Sequence, residues 1–335
     1  MNKSTNMLFM MIMLISVPVS ISSNSWFIVW MGMEINIMAF IPLIIEQKNM
    51  MTKESALTYF LVQTIASMLM ILSFIINNSM INMINVEFSE MMLISTLMMK
   101  SGVFPFHFWM PKMMEGMTWN KCLILMTWQK ITPMMMMSNI IKINYLTMMA
   151  MAMTILIGGI GGLNQTSLRK MMAYSSISNN GWMMMAMMMS EMIWMTYFMF
   201  YCIMTIILTK SMNIYKNYHI NQMCSMNEST LKKFILMMNM LSMSGLPPMM
   251  GFIPKWLVIQ TTMSINQLMM LGMMVMMMLI TIYYYIRIMF SVMMLTNYQP
   301  KWIKLKNNKN KNFLFFMNTF SILGLYLVTL IFMLN

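Results

Sequence analysis

The sequence predicts an all-α, polytopic membrane protein of about eleven transmembrane helices, arranged as inverted five-helix repeats with two broken helices. Three observations carry this. The chain is 59% hydrophobic and only 9% charged, where soluble domains run near 25% charged. Apolar runs of membrane-crossing length follow one another from end to end, and the longest hydrophilic stretches, 210–233 and 297–312, are too short for a soluble domain. Finally, two of the apolar runs carry the same Gly/Pro interruption: Ser101-Gly102-x-x-Pro105-x5-Pro111-Lys112 is matched by Ser244-Gly245-x-x-Pro248-x5-Pro254-Lys255.

The runs justify the elements in order. A span needs about 20 apolar residues. Residues 7–22 follow Lys3 and form the first span, read as a membrane helix because an unbroken series of spans follows it. The second is 25–45 with Glu34 at its middle, the third 55–78, the fourth 91–111, and the fifth 122–141 with Lys130 inside. The sixth is 146–163, the seventh 171–189, the eighth 193–209, the ninth 234–263, the tenth 268–292 and the eleventh 313–334. The fourth and ninth break at 100–111 and 244–255, where proline removes a helix donor and clashes with the preceding turn. They are five apart in the series, an odd number, so the two broken helices run in opposite directions. The expected organisation is a first repeat over 1–143, a second over 144–296, a basic loop over 297–312 and a final helix over 313–335. Paired interrupted segments of this kind point to a transport site built on discontinuous helices.

Charge tests the count. With the N-terminus inside, the inner loops collect sixteen basic residues, the outer loops only Lys142, and four lie within spans, accounting for all 21. Glu87, Glu90 and Glu191 fall outside. This segregation explains the net charge of +13 by topology and lipid headgroup contact, without nucleic acid.

Other chemistries find little support. Cys122, Cys202 and Cys224 are far apart and form no C-x-x-C, which excludes a self-contained iron–sulfur or zinc site and a disulfide framework. His107 and His219 are isolated. The 65 methionines run inside apolar helices (134–137, 183–185, 276–278), where Met is a good helix former, rather than on loops that would bind copper. Gly-Gly-Ile-Gly-Gly over 158–162 ends a span instead of joining a strand to a helix, so it reads as close helix packing through small residues.

The candidate functional residues are the ionisable groups inside spans: Glu34, Lys100, Lys130 and Lys255. Each costs about 2.5–3.5 kcal/mol at a helix centre on insertion scales, so each must be paired or hydrated. One carboxylate cannot neutralise three lysines, which leaves structural pairing short of partners. Burial disfavours the charged form, and a lysine so placed can take and release a proton. The expectation is a proton relay in which Glu34 holds Lys100 charged until a proton arrives, with His107 and water bridging the break. Structural pairing is the competing account. Arg287, near a span end, is expected to snorkel.

These residues sit in motifs that resemble the antiporter-like, proton-translocating subunits of respiratory complex I. The motifs are W-M-G-M-E-I-N-I at 30–37, K-S-G-V-F-P-F-H-F-W-M-P at 100–111, T-W-Q-K-I-T-P at 127–133, G-G-L-N-Q-T-S-L-R-K-M-M-A-Y-S-S-I at 161–177, and S-G-L-P-P-M-M-G-F-I-P-K-W at 244–256. The resemblance covers nearly the whole chain. It implies a multi-pass subunit of the mitochondrial inner membrane, N-terminus in the matrix and C-terminus in the intermembrane space, that moves protons while its complex oxidises NADH and reduces ubiquinone. It places Glu34, Lys100, Lys130 and Lys255 on the family's proton path. It implies other membrane-arm subunits as partners, with cardiolipin at the basic matrix loops, and no cofactor in this chain; NADH, FMN, iron–sulfur clusters and ubiquinone belong to the whole complex. The chain departs from the bacterial pattern of fourteen spans by lacking the first three, as animal mitochondrial versions do. Abundant Met, Ile, Asn and Lys with no Asp points to an AT-rich animal mitochondrial gene, of insect type. Two other readings stay open: a free-standing cation/proton antiporter, for which an Asp would be usual, and a purely structural subunit that would tolerate loss of the intramembrane charges.

Overall fold

A computed structural model describes residues 3–46, 49–79, 83–226, 230–265, 267–294, 318–319, 321–322 and 324. The described residues are helical, apart from turns and an isolated bridge between Ser167 and His219. The chain divides into two compact units, Met1–Ala150 and Met151–Asn335.

In the first unit α1 (Lys3–Ile21) and α2 (Trp26–Ile44) form a hairpin. It closes tightly because Gly32 faces Ser20: a β-carbon on Gly32 would stand 2.9 Å from the Ser20 Cβ. Then come α3 (Met50–Ser79), α4 (Met83–Ser101), α5 (Trp109–Gly116), α6 (Trp119–Met126) and α7 (Trp128–Ile140). α8 (Tyr145–Gly162) leads into the second unit. That unit holds α9 (Leu168–Met189), α10 (Glu191–Tyr215), the short α11 (Ile220–Cys224), α12 (Thr230–Ser244), α13 (Phe252–Ser264) and α14 (Leu268–Met294).

Six helices among the described residues are long and apolar enough to cross a membrane: α1, α2, α3, α8, α10 and α14. The remaining expected spans fall short for physical reasons. The fourth and ninth are divided, as α4–α5 and α12–α13. The seventh, α9, is polar in its middle yet buried all round, Ser175, Ser176, Ser178, Asn179 and Asn180 included. The fifth is interrupted where no break was expected: Thr127 (φ −111°, ψ −72°) separates α6 from α7. Its hydroxyl donates back to the Leu123 carbonyl at 2.8 Å, a bond that bends helices. The expected basic loop 297–312 lies outside the described residues, as does most of the eleventh span. Of that span Ser321 is described, and its carbonyl accepts from the Met250 amide at 3.2 Å.

The glycine run packs as expected. A β-carbon on Gly158 would lie 2.6 Å from the Ser178 amide nitrogen, and one on Gly161 would strike the Tyr174 ring.

The two expected breaks share their local geometry. In the first, Gly102 adopts φ +74°, its amide bonds to the Met99 carbonyl at 3.4 Å, and the Val103 amide reaches the Met98 carbonyl at 3.0 Å. This is a Schellman termination, which puts glycine where a left-handed residue is needed. In the second, Gly245 adopts φ +85° and its amide bonds to the Ser242 carbonyl at 3.1 Å. Downstream, Phe106 N–H to Val103 at 2.9 Å is mirrored by Met249 N–H to Leu246 at 2.9 Å. Met110 N–H to His107 at 3.2 Å is likewise mirrored by Ile253 N–H to Met250 at 3.3 Å. The prolines Pro105 and Pro248 both follow cis peptide bonds.

Candidate functional site

The breaks create the places where buried lysines can sit. A helix end leaves carbonyls without intrahelical partners, and its negative dipole end favours a cation. Lys100 lies in the last turn of α4. Its own carbonyl accepts from Gln63 Nε2 at 3.3 Å, and the neighbouring Met99 carbonyl from Trp109 Nε1 at 3.2 Å. The Lys100 side chain is 7% exposed, and its ammonium donates to the Met33 and Met70 sulfurs at 3.1 and 3.9 Å. Thioethers are weak acceptors, so most of the donor capacity faces the adjacent cavity.

That cavity, of ≈ 20 Å³, is lined by Lys100 and by Lys130. A space of about 10–15 Å³ is enough for one water. Lys130, 2% exposed, comes from the start of α7, just past the Thr127 interruption. Asn36, Tyr59, Gln63 and Gln129 also line the space. Three of them are bonded in series: Tyr59 OH donates to Gln129 Oε1 at 3.2 Å, and Gln129 Nε2 donates to Asn36 Oδ1 at 3.0 Å. Sequence reasoning missed these neutral polar residues. Their signal was there: three amides in otherwise apolar spans, two of them inside motifs already singled out.

Glu34 sits on α2 one residue from Met33, whose sulfur accepts from the Lys100 ammonium. Its Oε1 is buried without a hydrogen-bond partner among the described residues. Lys100 makes no ion pair with it within 4 Å; ion pairs of this unit lie elsewhere, Lys121 with Glu46 at 2.6 Å and Lys142 with Glu90 at 2.5 Å. His107 is buried, at 4% exposure, with its ring 4.1 Å from that of Phe108 and 6.4 Å from that of Phe104. It is not among the residues lining the Lys100–Lys130 cavity.

In the second unit, Lys255 is 4% exposed. It starts on the first turn of α13, but its ammonium reaches back to donate to the Ser244 carbonyl, the last of α12, at 2.6 Å. The Trp182 ring lies 5.9 Å from it. A second small cavity of ≈ 20 Å³ is lined by Lys255, Asn179, Tyr197 and Ser242, among others. There Tyr197 OH donates to Asn179 Oδ1 at 3.0 Å. In each unit, therefore, a buried lysine beside a helix break opens onto a small cavity furnished with neutral hydrogen-bonding groups.

Comparison with known proteins bears on what such an arrangement serves. Residues 23–281 match the family described as NADH:quinone oxidoreductase/Mrp antiporter, TM. NADH-ubiquinone oxidoreductase chain 2 of Anopheles gambiae is 44% identical over 342 residues, covering 99% of this chain and 99% of the mosquito protein. The chain of the same name from Aedes aegypti is 44% identical over 340 residues, again covering 99% of each. Among solved structures, a chain of respiratory complex I from Thermus thermophilus superposes with a TM-score of 0.84 at 17% identity, covering 96% of this chain and 78% of that one. At that identity the likeness is one of fold.

Proposed function

The chain belongs to the NADH:quinone oxidoreductase/Mrp antiporter membrane family, with the chain 2 proteins of NADH-ubiquinone oxidoreductase as full-length relatives, and on that premise we propose that it is a proton-translocating core subunit of the membrane arm of that complex. Its place is the mitochondrial inner membrane, N-terminus in the matrix and C-terminus in the intermembrane space, among other membrane-arm subunits and lipid. Redox chemistry, with NADH, FMN, iron–sulfur clusters and ubiquinone, belongs to the rest of the complex and not to this chain. The fold reads as eleven spans: inverted five-helix repeats over 1–143 and 144–296, the basic loop 297–312 and a last helix. The matched hydrogen bonds of the two breaks support the repeat.

The observation that carries the mechanism is the cavity shared by Lys100 and Lys130. A proton moves between the two amines through one water, with the Tyr59–Gln129–Asn36 chain holding that water's position. Glu34, next along α2 to the Met33 whose sulfur Lys100 touches, stabilises the protonated amine and sets which lysine holds the proton. Lys255 plays the corresponding part in the second unit, with the Ser244 carbonyl holding its ammonium. His107 keeps a supporting place beside the first break. A membrane potential adds about 2.3 kcal/mol per charge per 100 mV, so redox-driven changes must alter lysine protonation by at least that scale.

The test is Lys130→Ala in the assembled complex, reconstituted into vesicles, with protons moved per NADH oxidised as the readout. The ratio should fall. An unchanged ratio in a correctly assembled complex would sink the relay.

A further inference from the structure

Arg287 is the one charge on an otherwise apolar stripe of α14. The exposed residues of this helix recur at helical spacing: Met273, Met276, Leu279, Tyr283, Arg287, Phe290 and Met294. Such a stripe faces lipid or a partner. Arg287 lies seven residues from the end of α14 at Met294, about 10 Å along the axis, level with the α8–α9 connection. Among the described residues, its guanidinium makes one long bond, 3.4 Å to the Leu163 carbonyl. Beside it opens a cavity of ≈ 300 Å³, lined by Asn164, Gln165, Thr166 and Ser291 together with apolar and aromatic groups, and by no acidic residue.

We propose that this cavity is a phospholipid headgroup site, in which Arg287 binds the phosphate and the exposed stripe of α14 carries an acyl chain. A guanidinium matches phosphate oxygens through paired N–H donors. The amide of Asn164 and the hydroxyl of Thr166 supply neutral donors to a phosphate's shell, while the Ser291 hydroxyl donates to the Ile288 carbonyl at 2.8 Å. Toward the start of α14 the exposed apolar residues run on to Leu268, nineteen residues or about 28 Å from Arg287, so the stripe is long enough for an acyl chain to lie along half the hydrocarbon core, about 15 Å. A partner protein's carboxylate would satisfy Arg287 equally but would not use the apolar stripe. The site is independent of the proton relay: it uses none of the relay residues.

The experiment takes the whole complex in native membranes. Two photoactivatable probes carry the same acyl chains, one a phospholipid with a phosphate headgroup, the other a diacylglycerol without it. Crosslinked peptides of this chain are then mapped. The phospholipid should label the segments around 163–166 and 276–290, exceeding the diacylglycerol by about ten-fold, as expected for one charge-assisted pair, and added inorganic phosphate should not displace it. Arg287→Gln should lower the labelling by a similar factor, while Arg287→Lys should keep part of it. Equal labelling by the two probes would overturn the proposal, leaving only apolar contact. So would displacement by free phosphate, or a crosslink from these segments to another protein subunit in place of lipid. The probe comparison stands on the wild-type complex even where a variant fails to assemble.

Discussion

Substituting alanine at the two break glycines separates the helix break from the lysine beside it. Gly102 and Gly245 both hold left-handed φ, +74° and +85°, so alanine at either costs about 1–2 kcal/mol of backbone strain. Their surroundings differ. A β-carbon at Gly102 meets Met110 Sδ at 3.4 Å, an ordinary contact. At Gly245 it would lie 2.7 Å from Lys255 Cδ and 3.0 Å from its Nζ. The flexible lysine end must move, and its 2.6 Å bond to the Ser244 carbonyl is the contact at risk. A hydrogen bond to a charged group is worth about 1.5–3 kcal/mol. Both variants should therefore lower the thermal stability of the complex. Only Gly245→Ala should lower the protons moved per NADH in reconstituted vesicles. Equal ratios for the two variants, with both less stable, would refute the claim that the position of the Lys255 ammonium governs translocation.

Further expectations follow from the packing. Gln129→Leu strips the partner from both Tyr59 OH and Asn36 Oδ1; each orphaned group costs about 1–3 kcal/mol, and the rate of proton transfer should fall in a dye-based pumping assay. Tyr197→Phe removes one donor to Asn179 and should cost about 1 kcal/mol, seen as a small drop in the inactivation temperature. Gly158→Val overpacks α8 against the Ser178 backbone by about 1–3 kcal/mol or more, and should reduce the assembled complex on a native gel. Lys121→Ala removes the ion pair with Glu46 and a 3.0 Å bond to the Ile44 carbonyl, together about 1–2 kcal/mol; the inactivation temperature should fall slightly while the protons moved per NADH stay at the wild-type ratio.

What the sequence made legible depended on how strongly each residue constrains the backbone. The Gly102 and Gly245 breaks were readable because glycine and proline leave the helix few alternatives. The buried lysines were readable because a charge in an apolar run has no other explanation. The Thr127 interruption carries no such mark, because threonine is ordinary in helices and its back-bond to Leu123 forms only in the folded chain. The amides of Asn36, Gln63 and Gln129 stand in apolar spans and were readable in principle, but an amide's burial cost is smaller than a charge's, and they were passed over for the charges beside them. The burial of the polar middle of α9 was not legible, because periodicity cannot tell a helix surrounded by protein from one that meets water. For His107, expected to bridge the break with water, the structure gives a ring beside those of Phe104 and Phe108.

The two breaks share a backbone but place their lysines on opposite sides of it. With an offset of 244 − 101 = 143 residues, Lys100 corresponds to Met243 and Lys255 to Lys112. Met243 is buried and uncharged, and Lys112 is exposed. Each break thus keeps one buried ammonium, supplied by the incoming helix in the first and the outgoing helix in the second. What is common is the helix end. Lys100 lies in the last turn of α4, and Lys255 turns away from the start of its own helix to the last carbonyl of α12. The start of α13 carries the positive end of a dipole and would repel an ammonium, whereas a C-terminus attracts one. Lys130 differs, lying in the first turn of α7 just past the Thr127 interruption. Glu34 stands apart on the unbroken α2, and among the described residues it makes no ion pair within 4 Å. An interrupted helix gives a membrane protein a place where an amine can be charged or neutral at modest cost, and Lys100, Lys130 and Lys255, all buried, lie beside such interruptions.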